Sequence, residues 1–294
     1  MKKKKITVIG SVNMDLITTT STRPKVGETV LGEGFTTIPG GKGANQAVAA
    51  ARLGADVTFI GCVGQDVFGQ ELRENFANEG ITFCEANLAT ERHTGIASIT
   101  ISSQDNSIIV VPGANKEVTP SNIEKFASVI TESDFILLQL EIPLETVEHV
   151  IKMASQKGTP LIVNPAPYQA LSKESLEKAT YLTPNEHEKK QLNVTELMKD
   201  KLVVTKGSQG VSFWEQQRYI TISSYQVDVV DTTGAGDAFN GALAVALSEG
   251  SSLKDACQFA SAVGAITVTK LGAQSGMPNR SEVKAFLKQY EAKK

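Results

Sequence analysis

Asp134-Phe-Ile-Leu-Leu-Gln-Leu140 is followed by an amphipathic stretch at 144–156 and then by Leu161-Ile-Val-Asn164. An apolar run of strand length, a helix-length stretch and a second apolar run make one β-α-β unit. Strands buried on both faces read as unbroken hydrophobicity. Working outward, the same alternation recurs on both sides. Ile6-Thr-Val-Ile-Gly10 reads as a buried parallel strand, 44–53 is alanine-rich and stops at Gly54, and Val57-Thr-Phe-Ile-Gly61 precedes an amphipathic stretch at 67–78. Downstream, Pro165-Ala-Pro167 leads to a helix at 171–179, and Tyr181-Leu-Thr183 leads to the turn Asn185-Glu-His-Glu188. Strands at 202–205, 211–214 and 219–222 are joined by short turns and should include antiparallel pairs. Helices at 235–247, 253–268 and after Asn279 complete the chain. The predicted fold is α/β: a mostly parallel sheet with helices on both faces and ligand groups gathered at the carboxyl ends of the strands. Its 294 residues contain no internal repeat or low-complexity linker, so one extended domain is expected.

Two stretches lie outside that alternation. Residues 28–38 are β-formers interrupted by glycines, and 95–111 hold two β-rich runs split by Gln104-Asp-Asn106. Both read as exposed antiparallel strands beside the main sheet.

Lys and Arg number 29 against 32 Asp and Glu, a formal charge of −3, which leaves no surplus for a nucleic-acid backbone or an anionic membrane. The basic run Lys2–Lys5 reads as a solvated cluster, and no apolar stretch reaches the roughly 20 residues of a membrane helix. Three widely spaced cysteines suggest neither disulfides nor zinc, and three histidines share no ligand spacing. A small-molecule partner and a reducing cytoplasm are the expectations.

Chemistry concentrates in two glycine-rich segments. Asp231-Thr-Thr-Gly-Ala-Gly-Asp237 follows a strand expected at 226–230 and opens a helix. Gly234, Ala235 and Gly236 let backbone N–H groups converge on a phosphoryl group at a helix N-terminus, with Asp237 beside it to take a proton from an attacking hydroxyl. The bland alternative is a glycine turn with Asp237 as a helix-start carboxylate. Pro39-Gly-Gly-Lys-Gly-Ala-Asn45 supplies close backbone approach plus the donors Lys42 and Asn45, suited to sugar hydroxyls, or else a plain glycine-rich helix entry. It lacks the order of residues of a Walker phosphate loop. Asn13-Met14-Asp15 and Glu141 sit just past strand ends, where a ligand crevice is expected.

Gly40-Gly-Lys-Gly-Ala-Asn-Gln46 and Asp231–Asp237, in that order, make the chain resemble the ribokinase/PfkB family of carbohydrate kinases over nearly its whole length. Gly10-Ser-Val-Asn-Met-Asp15, Gln139-Leu-Glu141, Asn164-Pro-Ala-Pro167 and Gly272-Ala-Gln274 make it similar to the branch that acts on ribose. The resemblance implies a sugar site from Asn13, Met14, Asp15, Gly41, Lys42, Gly43, Ala44, Asn45 and Glu141, with Asp237 as base. It implies ATP on Asn185, the turn Thr205-Lys206-Gly207-Ser208-Gln209-Gly210, Gly236 and Ser261, and Mg²⁺ organised by Glu188 through water. A potassium ion would lie among the Asp231 carboxylate and the carbonyls of Thr233, Thr267, Lys270 and Gly272. Strands at about 12–20, 28–38 and 95–111 would form a β lid over the sugar and the contact of a homodimer. Two departures from the family stand out: the segment between Asn185 and Thr205 is short, and Gly276 stands where a cation-binding serine is often found.

Overall fold

Period-two burial divides the apolar strands between two cores. In the computed structural model, which describes residues 3–102, 105–192 and 194–292, six parallel strands form the main sheet. Their order is β10 (Tyr181–Leu182), β9 (Leu161–Val163), β8 (Phe135–Leu138), β1 (Lys5–Ile9), β4 (Asp56–Gly61) and β5 (Thr82–Glu85). Ile6, Val8, Phe135 and Leu137 face one core with α1 (Lys42–Arg52), α8 (Ala235–Ser248) and α9 (Leu253–Thr267). Ile9, Ile136 and Leu138 face the other, with α5 (Leu144–Lys157) and the short helices α3 (Pro120–Ile123), α4 (Ala127–Thr131) and α6 (Lys173–Lys178). Helices therefore cover both faces, as the alternation predicts. α2 (Val67–Asn78) brings Phe76 onto Phe59 and Phe83, and α11 (Arg280–Glu291) starts at an Asn279 capping box.

α1 and α8 cross closely because their contact is built of small residues. A Cβ on Gly241 would come within 2.7 Å of both the Ala49 Cβ and the Gln46 carbonyl oxygen. That approach lets polar side chains of α1 reach the first turn of α8.

A second sheet stands apart, in the order β3 (Gly34–Gly40), β2 (Asn13–Thr19), β6 (Gly95–Ser102) and β7 (Asp105–Val111). Three details differ from the sequence reading. Residues 28–33 are exposed loop rather than strand, because β2 ends at Thr19, whose last partner is Gly34, while the Thr20 hydroxyl turns to the Leu31 carbonyl. The β2–β3 and β6–β7 pairs are antiparallel as expected, but β2 and β6, whose pairing was not foreseen, run parallel, the whole main-sheet unit of β4, α2 and β5 separating them. Edge strand β5 was not legible, its four residues Thr-Phe-Cys-Glu being too few for a pattern. Gln104, in the expected turn between β6 and β7, lies outside the described residues, as does Lys2 of the basic run.

Three antiparallel strands, β11 (Val203–Thr205), β12 (Val211–Glu215) and β13 (Arg218–Ile222), continue the main sheet through parallel bridges Leu182–Leu202 and Asn185–Thr205. The short crossover before β11 holds α7 (Glu186–Gln191) and a 3₁₀ turn at Glu196–Lys201; Asn193 between them is outside the described residues. The strand expected at 226–230 is not one. Among the described residues this run has no strand neighbour, and the Val230 and Asp231 N–H groups bond instead to the Val268 carbonyl at the end of α9.

Candidate active site

The crevice opens at the carboxyl ends of β1, β8 and β9. Past β1, the Ser11 hydroxyl donates to Glu141 Oε2 at 2.5 Å, and the same carboxylate accepts the Lys42 N–H at 3.2 Å, at the start of α1. Glu141 thus sits on a helix N-terminus, where a negative charge is favoured. Gly41 has φ 91°, and a Cβ there would lie 2.8 Å from Val12 Cα and Asn13 N, so only glycine lets α1 approach this closely. The Asp15 carboxylate lies across Gly40. Asn13 is pinned by Asn115, whose amide donates to Asn13 Oδ1 at 2.8 Å and accepts from the Val12 N–H at 2.9 Å. Asn115 has no motif in the sequence to mark it. The Met14 and Ala44 side chains pack in the core, and the N–H groups of Gly43 and Ala44 are taken by Ser11, so these three positions shape the wall rather than present side chains.

Burial, then the nearby charges of Glu141 and Asp237, push the Asp15 carboxyl from 3.8 to about 7, with Lys42 opposing them. Burial alone would depress Lys42. The carboxylates of Asp237, Glu141, Glu188 and Asp15 outweigh it and hold the ammonium above its ordinary value. Lys42 is therefore a cation set among acids.

Asp237 is buried in the first turn of α8. Asn45 Nδ2 donates to its Oδ2 at 3.0 Å and Gln46 Nε2 to its Oδ1 at 3.2 Å. Behind it, Asn240 Nδ2 donates to the Gly236 carbonyl at 2.8 Å, and the Thr183 hydroxyl to Asn240 Oδ1 at 2.6 Å. Gly234, the N-cap, takes φ 79°, and a Cβ there would strike Ala273 at 2.5 Å. At Gly236 a Cβ would meet nothing within 4 Å, so the missing side chain leaves open space at the helix start. The Ala235 N–H turns to the Thr232 carbonyl at 3.3 Å.

On the far side of Asp237 lies a cavity of about 540 Å³. Asn185, Glu188, Thr205, Gly207, Ser208, Gly210, Gly236, Asp237 and Ser261 all line it, as does Lys42. Lys206 and Gln209 do not; the Lys206 ammonium reaches out to the Tyr219 hydroxyl at 3.2 Å. The apolar wall of Val227, Val229, Ala265 and Val268 was hidden by reading 226–230 as a strand. Glu188 closes a capping box on the Asn185 N–H at 2.8 Å, and burial foremost raises its pKa despite that bond and Lys42.

Beside Gly234, Asp231 Oδ1 accepts the Thr233 N–H at 2.9 Å and hydroxyl at 2.7 Å, and Oδ2 accepts the Gly272 N–H at 2.8 Å. Burial opposes ionisation of Asp231, but these bonds overcome it and leave the pKa lowered. The last carbonyls of α9 come to the same loop, where α10 (Ala273–Gly276) follows. A Cβ at Gly276 would lie 2.2 Å from the Thr267 carbonyl oxygen, so glycine here reflects close packing. The Ser275 hydroxyl is already turned to the Leu271 and Gly272 carbonyls. Lys270 lies in the bend before them.

The model of the pfkB family carbohydrate kinases matches residues 3–280. The ribokinase of Bacillus subtilis is 46% identical over 291 residues, covering 97% of this chain and 99% of that protein. Among solved structures, ribokinase from Thermotoga maritima superposes with a TM-score of 0.87 at 38% identity, covering 96% of this chain and 99% of that one. Arabidopsis thaliana ribokinase complexed with ribose and ATP gives the same TM-score at 31% identity, covering 98% and 99%. With the two glycine-rich segments brought to one base between a crevice and a cavity, and the family model spanning nearly the whole length, the chain belongs to the pfkB family of carbohydrate kinases.

Proposed function

We propose that this chain transfers the γ-phosphoryl group of ATP to the 5-hydroxyl of D-ribose, giving D-ribose 5-phosphate and ADP. The observation that carries the reading is the place of Asp237, a buried carboxylate that forms the shared wall between the polar crevice and the 540 Å³ cavity. The ribokinases of Bacillus subtilis and Thermotoga maritima match end to end, and that of Arabidopsis thaliana is complexed with ribose and ATP.

In this mechanism Asn13, Asp15, Lys42, Asn45 and Glu141 grip the ribose hydroxyls, and the walls at Met14, Gly41, Gly43 and Ala44 set the depth of the crevice. Asn185, Thr205, Gly207, Ser208, Gly210 and Ser261 hold the nucleotide, with Lys206 and Gln209 shaping the turn. The 5-oxygen bonds to the γ-phosphorus as the bond from phosphorus to the ADP oxygen breaks, and the hydroxyl proton passes to Asp237. Since such a transition state is loose, position of the base matters more than its strength. The N–H groups of Gly234 and Gly236 face the developing charge with the α8 dipole behind them, the Ala235 N–H being taken by the Thr232 carbonyl.

The donor set fits two cations. Glu188, buried at the cavity with Lys42 near, would hold Mg²⁺ through water, and that ion supplies charge neutralisation on the phosphates. The anionic Asp231 carboxylate and the carbonyls of Thr233, Thr267, Lys270 and Gly272 are hard oxygens suited to K⁺, with Gly276 giving no side chain. The small sheet acts as a lid, and its exposed run Ile108–Val111 is the contact of a homodimer. Three free cysteines accord with a reducing cytoplasm.

A coupled ADP-release assay over D-ribose, 2-deoxyribose, fructose and adenosine tests the reading. The highest kcat/KM is expected with D-ribose, and ADP release that no sugar stimulates would sink it.

A further inference from the structure

Helix α1 is alanine-rich, yet its Gln46 is wholly buried. An amide taken out of water is tolerated only where its groups find partners. Those of Gln46 are all internal and polar. Its Nε2 donates to Asp237 Oδ1 at 3.2 Å and to Asn164 Oδ1 at 3.3 Å, while its Oε1 accepts from Gln139 Nε2 at 2.7 Å.

Gln139 is buried as completely, and its Oε1 is a buried polar atom without a hydrogen-bond partner among the described residues. That oxygen lies over Gly10, where a Cβ would approach it to 2.0 Å. Turning Gln139 round would set its oxygen against Gln46 Oε1. Turning both would bond Gln139 Oε1 but leave its Nε2 without a partner, and would set Gln46 Oε1 against Asp237 Oδ1 and Asn164 Oδ1. An ionised carboxylate only accepts, so Asp237 and Asn164 Oδ1 favour the orientation in which Gln46 Nε2 faces them. The other oxygen of Asp237 is served in the same way: Asn45, which donates to it, is held by Gln274 Nε2 at 3.0 Å, and Gln274 by Asn75 Nδ2 at 3.0 Å.

We propose that Gln46, oriented by Gln139, is a positioning residue that holds the Asp237 carboxylate turned toward the reacting hydroxyl. This rests on Asp237 being the base. A neutral donor suits the task better than a cation, because a guanidinium in the same place would stabilise the carboxylate and also weaken it as a proton acceptor. Each Asp237 oxygen keeps a lone pair for the hydroxyl proton.

The test compares three variants by the pH dependence of kcat and by KM for ribose, with circular dichroism and melting to check folding. Gln46→Glu keeps the shape and replaces the donor with a second acidic oxygen. Its acid limb should move up by at least about one pH unit, with KM for ribose changed by less than about twofold. Gln139→Leu touches no atom of Asp237 but frees Gln46 to turn, so its limb should move the same way by less. Should Gln46→Glu fail to fold, Gln139→Leu decides alone. Asp237→Asn is the reference, expected to lose roughly 10²-fold or more; if it stays active, the reading of Asp237 as base falls. If Asp237→Asn is inactive while the glutamine variants keep the wild-type acid limb, the positioning role is overturned.

Discussion

Two aspartates in the crevice differ in what they can show at the bench. Asp237 accepts two amide N–H groups and stands beside the open start of α8. Asp237→Asn should reduce kcat by roughly 10²–10⁴-fold with little change in ATP affinity, as expected when a positioned proton acceptor is lost. Turnover near the wild-type value would remove Asp237 from that role. Asp15 is a stability probe. Its pKa rises from 3.8 to about 7 on folding, so the folded protein binds the proton more tightly than the unfolded chain. Its contribution to stability is present at low pH and is lost as pH rises through that window. Asp15→Asn should therefore melt higher than wild type at pH 8, with a gap that narrows by roughly 3–8 °C at pH 5. A gap that does not depend on pH would place the Asp15 carboxyl in a solvated setting.

Among elements, the α1–α8 crossing and the loop after α9 carry the argument. Adding one methyl at Gly241 would press on both Ala49 and the Gln46 carbonyl, so Gly241→Ala should destabilise by about 1–3 kcal/mol, measured by denaturant unfolding. An unchanged midpoint would show that the helices yield. For the loop, replacing K⁺ by a large organic cation should lower activity severalfold, and Asp231→Ala should abolish the response to added K⁺. Equal activity in both salts would leave Asp231 as a turn cap through Thr233 and Gly272. The parallel sheet was legible because runs such as Phe135–Leu138 are apolar throughout, and the two glycine segments because close approach at Gly41, Gly43 and Gly234 leaves no room for a side chain. What was not legible follows from the same physics. Gln46, Asn164 and Gln274 lie in the quoted motifs, but the contacts of Gln46 with Asn164 and Asp237 and of Gln274 with Asn45 join residues 118 to 229 apart in sequence, so spacing did not show what they hold. Residues 226–230 have strand composition but find a helix end as neighbour, and β2 meets β6 in parallel only through distant topology.

At the scale of the molecule, the lid leaves Phe35, Ile108, Ile109, Val110 and Val111 exposed. Such a face is expected to be covered by a second copy. Ile109→Lys should shift the protein from dimer to monomer in sedimentation velocity, and a wild-type protein that already sediments as a monomer would refute the contact. The acids near Lys42 have a consequence for how nucleotide arrives. Asp237, Glu141, Glu188 and Asp15 act on one ammonium, in a chain whose formal charge is already −3. A bare polyphosphate diffusing toward that mouth meets like charge, and added salt shortens the reach of the repulsion to about 10 Å at 0.1 M. Capture of uncomplexed ATP should thus show a positive kinetic salt effect in stopped flow, its association rate climbing with ionic strength, whereas the metal complex, with half its charge cancelled, should show a much flatter dependence.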